Sequence, residues 1–277
     1  MKQFETLYRI LCDTDDLLRG GYSRDHALLT ERVASLMHDM NGSDDAAESG
    51  TQPDQNWSSD ERERVERRDP FAAYRNLTVD QRRQRLDALV TGVLGCTRCP
   101  LSMGRTHSVA GEGVLDPLVM FIGEGPGRDE DESGRPFVGA AGRYLDRWLA
   151  AIGLDREKNA YITNIVKCRP PNNRDPQPDE TDACTPWLLE QIVLVKPRMI
   201  VTLGRISMRV LTGTTQGITR IHGTFHTWRG IPLVPTFHPS AVLRRDEWRR
   251  PVWEDLKTIR NWLVDNADHV APDDPAG

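Results

Sequence analysis

Apolar residues along this chain fall into short runs that alternate with helical spacings, most clearly after residue 95. Val119, Met120, Phe121 and Ile122 follow one another without a polar interruption and read as a buried strand. Leu145, Trp148, Leu149 and Ile152 then recur at spacings of three and four, the mark of one helix face. Strands are expected at 118–122, 160–166, 199–203 and 231–237, each followed by a turn and a helical pattern such as 187–195 or 252–263. Such alternation predicts an α/β domain with a parallel sheet and helices on both faces. Upstream, Thr78-Val-Asp-Gln81 has the form of a capping box opening a helix whose Leu86, Leu89, Val90 and Val93 share a face. Residues 1–40 show two short helical patterns broken at Gly20-Gly21 and are expected to form a helical extension. Residues 41–62 have almost no apolar content, and a disordered acidic linker is expected over 41–77, with a disordered tail at 267–277.

Strand C-termini share one edge of a parallel sheet, so the residues there converge. Here they are Gly123-Glu124-Gly125, Thr163-Asn164, Gly204 and His238-Pro239-Ser240. A carboxylate, a carboxamide and an imidazole on one rim make a polar pocket, and Phe137 offers an apolar wall. An amide donates and accepts at once, so it can read the edge of a planar heterocycle. A histidine can donate to an oxygen that gains negative charge as a bond breaks. The plainer reading makes Asn164 and His238 turn residues satisfied by local backbone. The glycine-rich stretch 123–142 also invites a nucleotide reading. Against it, Arg128 stands where a dinucleotide fingerprint needs its third glycine, Asp129–Glu132 would repel a pyrophosphate, and no Gly-Lys-Ser/Thr is present.

Composition changes this picture in few places. With 277 residues and 38% hydrophobic content, part of the length is expected outside a core. The net charge is −5; residues 1–95 hold 13 basic and 18 acidic side chains and residues 96–277 hold 23 of each, so a local basic patch could still meet nucleic acid. No signal-peptide-like or membrane-spanning run is present, which predicts a soluble, cytoplasmic protein. Five cysteines argue against a disulfide framework. Cys96-Thr-Arg-Cys99 is a C-x2-C pair, and Cys168 and Cys184 come later with 15 residues between them, in polar sequence. These four suggest a metal site or an iron–sulfur cluster, which spacing cannot separate; Cys12 has no partner in sequence and reads as an ordinary thiol. After His238 come Ser240, Leu243, Arg244 and Arg245, an apolar tip ringed by arginines that suits a DNA groove and its phosphates.

Taken together, CTRCPL, GEGPGRDEDESGRPFVG, YITNIVKCRPPNNRDPQPDE, the Cys168/Cys184 spacing and FHPSAVLR resemble the family-four, iron–sulfur class of uracil-DNA glycosylases over about residues 96–265. The resemblance implies a three-layer α/β/α sandwich with a four-stranded, mostly parallel sheet, placed here at 78–266. It implies a [4Fe–4S] cluster on Cys96, Cys99, Cys168 and Cys184, regarded as structural. It implies that Phe137 stacks on a flipped uracil, that Asn164 bonds its Watson–Crick edge, and that His238 faces O2. Gly123, Glu124 and Gly125 would line the pocket, and Glu130 would block the 5-methyl of thymine. Glu124 is the candidate for positioning water. The expected partner is uracil-containing DNA, single- or double-stranded, met by a monomer whose N-terminal extension is free to dock another protein. A second reading is a superfamily relative that traps uracil-DNA covalently through a histidine on an inserted loop. Asn164-Ile-Val-Lys-Cys168 leaves no room for that insert, and Arg220-Ile221-His222, faintly similar, lies in another segment.

Overall fold

Thr78 opens the first described helix, α1 (Val79–Leu94), as the capping-box motif requires. Its hydroxyl accepts from the Gln81 N–H at 3.2 Å while the Gln81 side chain accepts from the Thr78 N–H at 2.9 Å. Two amides that the helix cannot satisfy are thereby paired. Leu89 and Val93 of α1 pack with Leu194 of the later helix α4 (Pro178–Val195). The coordinates are a computed structural model that describes residues 76–266 together with Phe71 and Tyr74. The extension expected at 1–40, most of the linker expected at 41–77, Cys12 and the tail expected at 267–277 lie outside the described residues.

Among the described residues six strands form one sheet: β1 (Glu112–Gly113), β2 (Val119–Gly123), β3 (Ala160–Asn164), β4 (Met199–Leu203), β5 (His226–Trp228) and β6 (Ile231–Thr236), in the order β1-β3-β2-β4-β6-β5. The central neighbours β3-β2, β2-β4 and β4-β6 run parallel. Both outer strands are antiparallel to their neighbours, so the sheet is mixed. The expected four-stranded, mostly parallel sheet is therefore corrected to six strands of mixed direction. The reason is length: β1 and β5 hold two and three residues, too few to leave a period in the sequence.

Alternation along the strands divides the core. Val119, Phe121, Ile162, Val201 and Val234 join Leu145, Trp148 and Leu149 of α3 (Ala140–Ala151) and Val252, Leu256 and Ile259 of α8 (Arg249–Asp265) in one buried cluster. On the opposite face, Tyr161 and Thr163 meet Gln191 of α4. Helix α4 begins at Pro178 rather than 187, because its first turns are polar and hide the apolar spacing. Between these lie α2 (Arg128–Ser133), α5 (Arg205–Thr212), α6 (Ile218–Ile221) and α7 (Pro239–Arg244). Pairing of Gly123 with Asn164, and of Leu203 with Thr236, brings the ends of the four central strands level. The segments leaving these strands therefore emerge along one edge of the sheet. Among the described residues no helix is long and apolar enough to cross a membrane.

Candidate functional site

That edge holds a cleft of about 520 Å³, within the range of small-molecule sites. Glu124, Gly125, Glu130, Phe137, Asn164, His238, Ser240 and Arg244 all line it. Gly123 lies just beneath, and Leu243 and Arg245 fall outside the lining. Sequence reasoning missed Asp175, Arg205 and Trp248, which also face the cleft. Arg205 directly follows Gly204, one of the rim positions read off the strand ends, so one further step along the chain would have found it.

Asn164 ends β3, is 1% exposed, and its Oδ1 has no hydrogen-bond partner in the protein. A buried polar atom left unpaired is costly, and one that lines a cleft points to a ligand that completes it. Gly123 makes room for it: a Cβ there would lie 2.3 Å from Asn164 Oδ1 and 2.6 Å from Phe137 Cζ. Phe137 adopts φ +53°, a left-handed conformation uncommon for an aromatic residue. Arg156 holds it there, donating to the Phe137 carbonyl at 3.0 Å and to the Pro136 carbonyl at 3.1 Å. Glu112 and Asp146 fix the same guanidinium. The Phe137 ring is 5.5 Å from that of His238, tilted by 33°.

His238 is the N-cap of α7 and sits close to Gly204, whose φ of +93° and missing side chain allow the approach: a Cβ would be 3.0 Å from His238 Cβ. The Ser240 backbone N–H donates to Nδ1 at 3.1 Å, and the Ser240 hydroxyl lies 2.8 Å from the same nitrogen. Because Nδ1 accepts, the proton of the neutral ring belongs on Nε2. Burial, helped by the nearby Arg244 charge, pushes the imidazole pKa down to about 4, so the ring is neutral at ordinary pH. The local-backbone reading of this histidine thus accounts for one nitrogen and leaves the other as a donor.

The acids of the glycine-rich stretch have separate duties. Glu124 is half-buried; burial first, and the Asp175 charge second, raise its pKa to about 7 against the opposing pull of Arg205. Glu130 uses its carboxylate on backbone: Oε1 accepts from Val138 and Gly139 at 2.9 Å each, and Oε2 from Gly127 at 3.1 Å. The Glu130 carboxylate is thereby fixed in place. Asp131 is buried and accepts from the Thr106 and His107 amides. At the mouth, Arg205 donates to Asp175. Leu243 is 43% exposed, and Arg245 lies over the Trp248 ring at 5.0 Å. His222 is engaged elsewhere: its Nδ1 is 2.9 Å from Asp255, which also accepts from Thr236 at 2.6 Å.

Cys96, Cys99, Cys168 and Cys184 line a second cavity together with Arg105, Lys167 and Trp187, and none of the four is in a disulfide. Arg105 donates to Cys168 Sγ at 2.9 Å, and the Lys167 N–H to Cys184 Sγ at 3.2 Å. Burial raises the pKa of Cys184 to about 11, and those of Cys99 and Cys168 rise for the same reason. Among the described residues no group of three or more His, Cys, Asp or Glu side chains is gathered to hold a metal ion. Four sulfurs around one cavity, two of them receiving N–H donors, fit a thiolate-bound group.

Comparison with known proteins gives this geometry a context. The model of the uracil DNA glycosylase superfamily matches residues 110–257. A type-4 uracil-DNA glycosylase of Thermotoga maritima is 44% identical over 186 residues, covering 66% of this chain and 96% of the relative. One from Sulfurisphaera tokodaii is 44% identical over 188 residues, 65% of this chain and 85% of the relative. A type-5 uracil-DNA glycosylase of Pyrobaculum aerophilum is 30% identical over 190 residues, 56% of this chain and 83% of the relative.

Proposed function

The chain belongs to the uracil DNA glycosylase superfamily and is a uracil-DNA glycosylase of DNA repair, family four fitting best, and from that premise we propose how its own residues carry the reaction. The observation that supports the assignment most is the unpartnered Asn164 Oδ1 in a cleft shared with a neutral His238 whose Nε2 is left to donate. Uracil inside a duplex is out of reach, so the nucleotide is extruded into the cleft, at a cost of roughly a few kcal/mol that falls for mismatched pairs. Phe137 covers the face of the base. Asn164 meets its Watson–Crick edge, Oδ1 accepting from uracil N3–H and the amide nitrogen donating to O4. Gly123, Glu124 and Gly125 form the floor, and Glu130, tied to three amides, gives a fixed wall beside the position of a 5-methyl group.

Breaking the N-glycosidic bond leaves negative charge on uracil and cationic character on the sugar. The His238 Nε2–H donates to O2 as that charge develops, a contact that strengthens in the transition state. Since the ring is already neutral, it stabilises the anion as a donor and keeps its own proton. Water then adds to the sugar, giving free uracil and an abasic site; Glu124, titrating near neutrality, is the group we assign to hold that water. Arg244, Arg245 and the exposed Leu243 would meet DNA outside the cleft, while Ser240 acts through the His238 ring.

Cys96, Cys99, Cys168 and Cys184 would hold a [4Fe–4S] cluster, which when bound serves as a crosslink between the segment after α1, the loop after β3 and helix α4. Helices on both sheet faces support a three-layer α/β/α domain at 78–266. Action on DNA implies residence with it in the cytoplasm. Incubating the protein with uracil-containing DNA tests the reading: free uracil and an abasic site are expected, whereas a denaturation-resistant adduct without free uracil would overturn it.

A further inference from the structure

Behind the base cleft sits a buried lysine whose hydrogen-bond acceptors are all neutral. Lys167 is 1% exposed, and its Nζ donates to Thr163 Oγ1 at 2.6 Å, to the Asn164 carbonyl at 2.8 Å and to Gln191 Oε1 at 2.6 Å. Three acceptors surround the amine, as many as it has donors when protonated. Burying a polar amine is unfavourable, and an apolar side chain of similar length would fill the same space. What the lysine adds is a fixed position for its acceptors.

Each partner is anchored in turn. Gln191, fully buried in α4, donates from Nε2 to the Ala110 carbonyl at 2.7 Å and to the Tyr161 hydroxyl at 3.2 Å. Thr163 donates to the same Ala110 carbonyl at 3.0 Å. The backbone of Lys167 is held as well, its N–H on Cys184 Sγ at 3.2 Å and its carbonyl accepting from Val109 at 2.7 Å. The Asn164 carbonyl is thus tied to a helix and a loop beyond its own strand. Its carboxamide has no comparable tie, since Oδ1 is unpartnered in the protein.

We propose that Lys167, braced by Gln191, is a positioning residue for uracil recognition: it fixes the main chain of Asn164 and so aims the carboxamide into the cleft. The proposal rests on the reading of Asn164 as the group that meets the base edge. The same residue touches the cysteine cavity, so it also joins that wall of the domain to the base site.

Lys167→Met and Gln191→Leu test it, with Asn164→Ala as a parallel arm. For each, single-turnover uracil release is measured per folded molecule, alongside inhibition by free uracil, the salt slope of DNA binding, iron content and the melting midpoint. Lys167→Met is expected to release uracil at least about tenfold, and up to about 100-fold, more slowly, the loss typical of a displaced reacting contact. Inhibition by free uracil should weaken with it, while the salt slope stays unchanged. Gln191→Leu should shift the same two readouts by less. A merely structural role would lower the melting midpoint yet leave rate per folded molecule and uracil inhibition at wild-type values, and that result overturns the proposal. Should Lys167→Met not fold, Gln191→Leu decides on the same readouts. A wild-type rate in Asn164→Ala would sink the reading of Asn164 itself; a slow Asn164→Ala beside wild-type Lys167→Met and Gln191→Leu would sink only the positioning role.

Discussion

Replacing Gly123 by alanine adds one methyl group where the geometry has no room for it. The new Cβ would lie 2.3 Å from Asn164 Oδ1, 2.6 Å from Phe137 Cζ and 2.8 Å from Phe137 Cε2. An unstrained contact is about 3.5 Å, so the carboxamide or the methyl-bearing backbone must give way by about 1 Å. Gly123 has no positive φ and pairs within the β2 ladder, so the conflict is steric and not conformational. Both displaced groups border the open cleft and can move into it. The expected stability loss is therefore that of modest overpacking, about 1–3 kcal/mol, small against the roughly 5–15 kcal/mol of a typical domain. Activity should suffer more. A misplacement of about 1 Å in a reacting constellation costs on the order of 100-fold, or about 2.7 kcal/mol of transition-state stabilisation. Single-turnover release of uracil, read beside thermal melting, separates the two effects. A folded Gly123→Ala protein that releases uracil at the wild-type rate would refute the claim that Asn164 and Phe137 grip the base above this glycine.

The same geometry sets four further outcomes. Glu124 titrates near 7 in the fold against 4.5 when exposed, so its folded state binds the extra proton across that window and its contribution to stability falls as pH rises through it. If its carboxylate holds the water, uracil release should rise with an apparent pKa near 7, and Glu124→Gln should be slow without that limb; an unchanged pH profile would remove Glu124 from the reaction. Asn164→Asp should lower uracil release strongly and admit cytosine, whose N4 amino group donates where O4 accepted; competition with free cytosine measures this, and equal rejection of cytosine would contradict the pairing. Arg244→Ala should reduce the salt slope of DNA binding by about 1, and an unchanged slope would take Arg244 off the phosphates. The purified protein should be yellow-brown with about four irons per chain, and Cys168→Ser should lose iron; a colourless zinc protein would overturn the cluster.

Much of the site was legible because parallel topology turns sequence order into spatial convergence. The uninterrupted run Val119–Ile122 marked a central strand, and residues at or just past the end of each central strand line the cleft. The capping box at Thr78 was legible because its two hydrogen bonds are local. Short edge strands were not, since two or three residues cannot display a period. Neither was the division of labour among the acids. A carboxylate that faces solvent and one that ties three amides look alike until the loop is folded, as Glu130 shows. Lys167 was hidden for a similar reason: a lysine in polar, proline-containing sequence reads as exposed, and only the packing of α4 against the sheet encloses it.

The central claim is that a neutral His238 donates from Nε2 to the departing uracil. Its most direct measurement is the single-turnover rate of uracil release by His238→Ala beside the wild type, at a pH well above 4 and with folding checked by melting. The account predicts a rate lower by about 100- to 1,000-fold, the usual loss for one such donor. Wild-type release by a folded His238→Ala protein would contradict it.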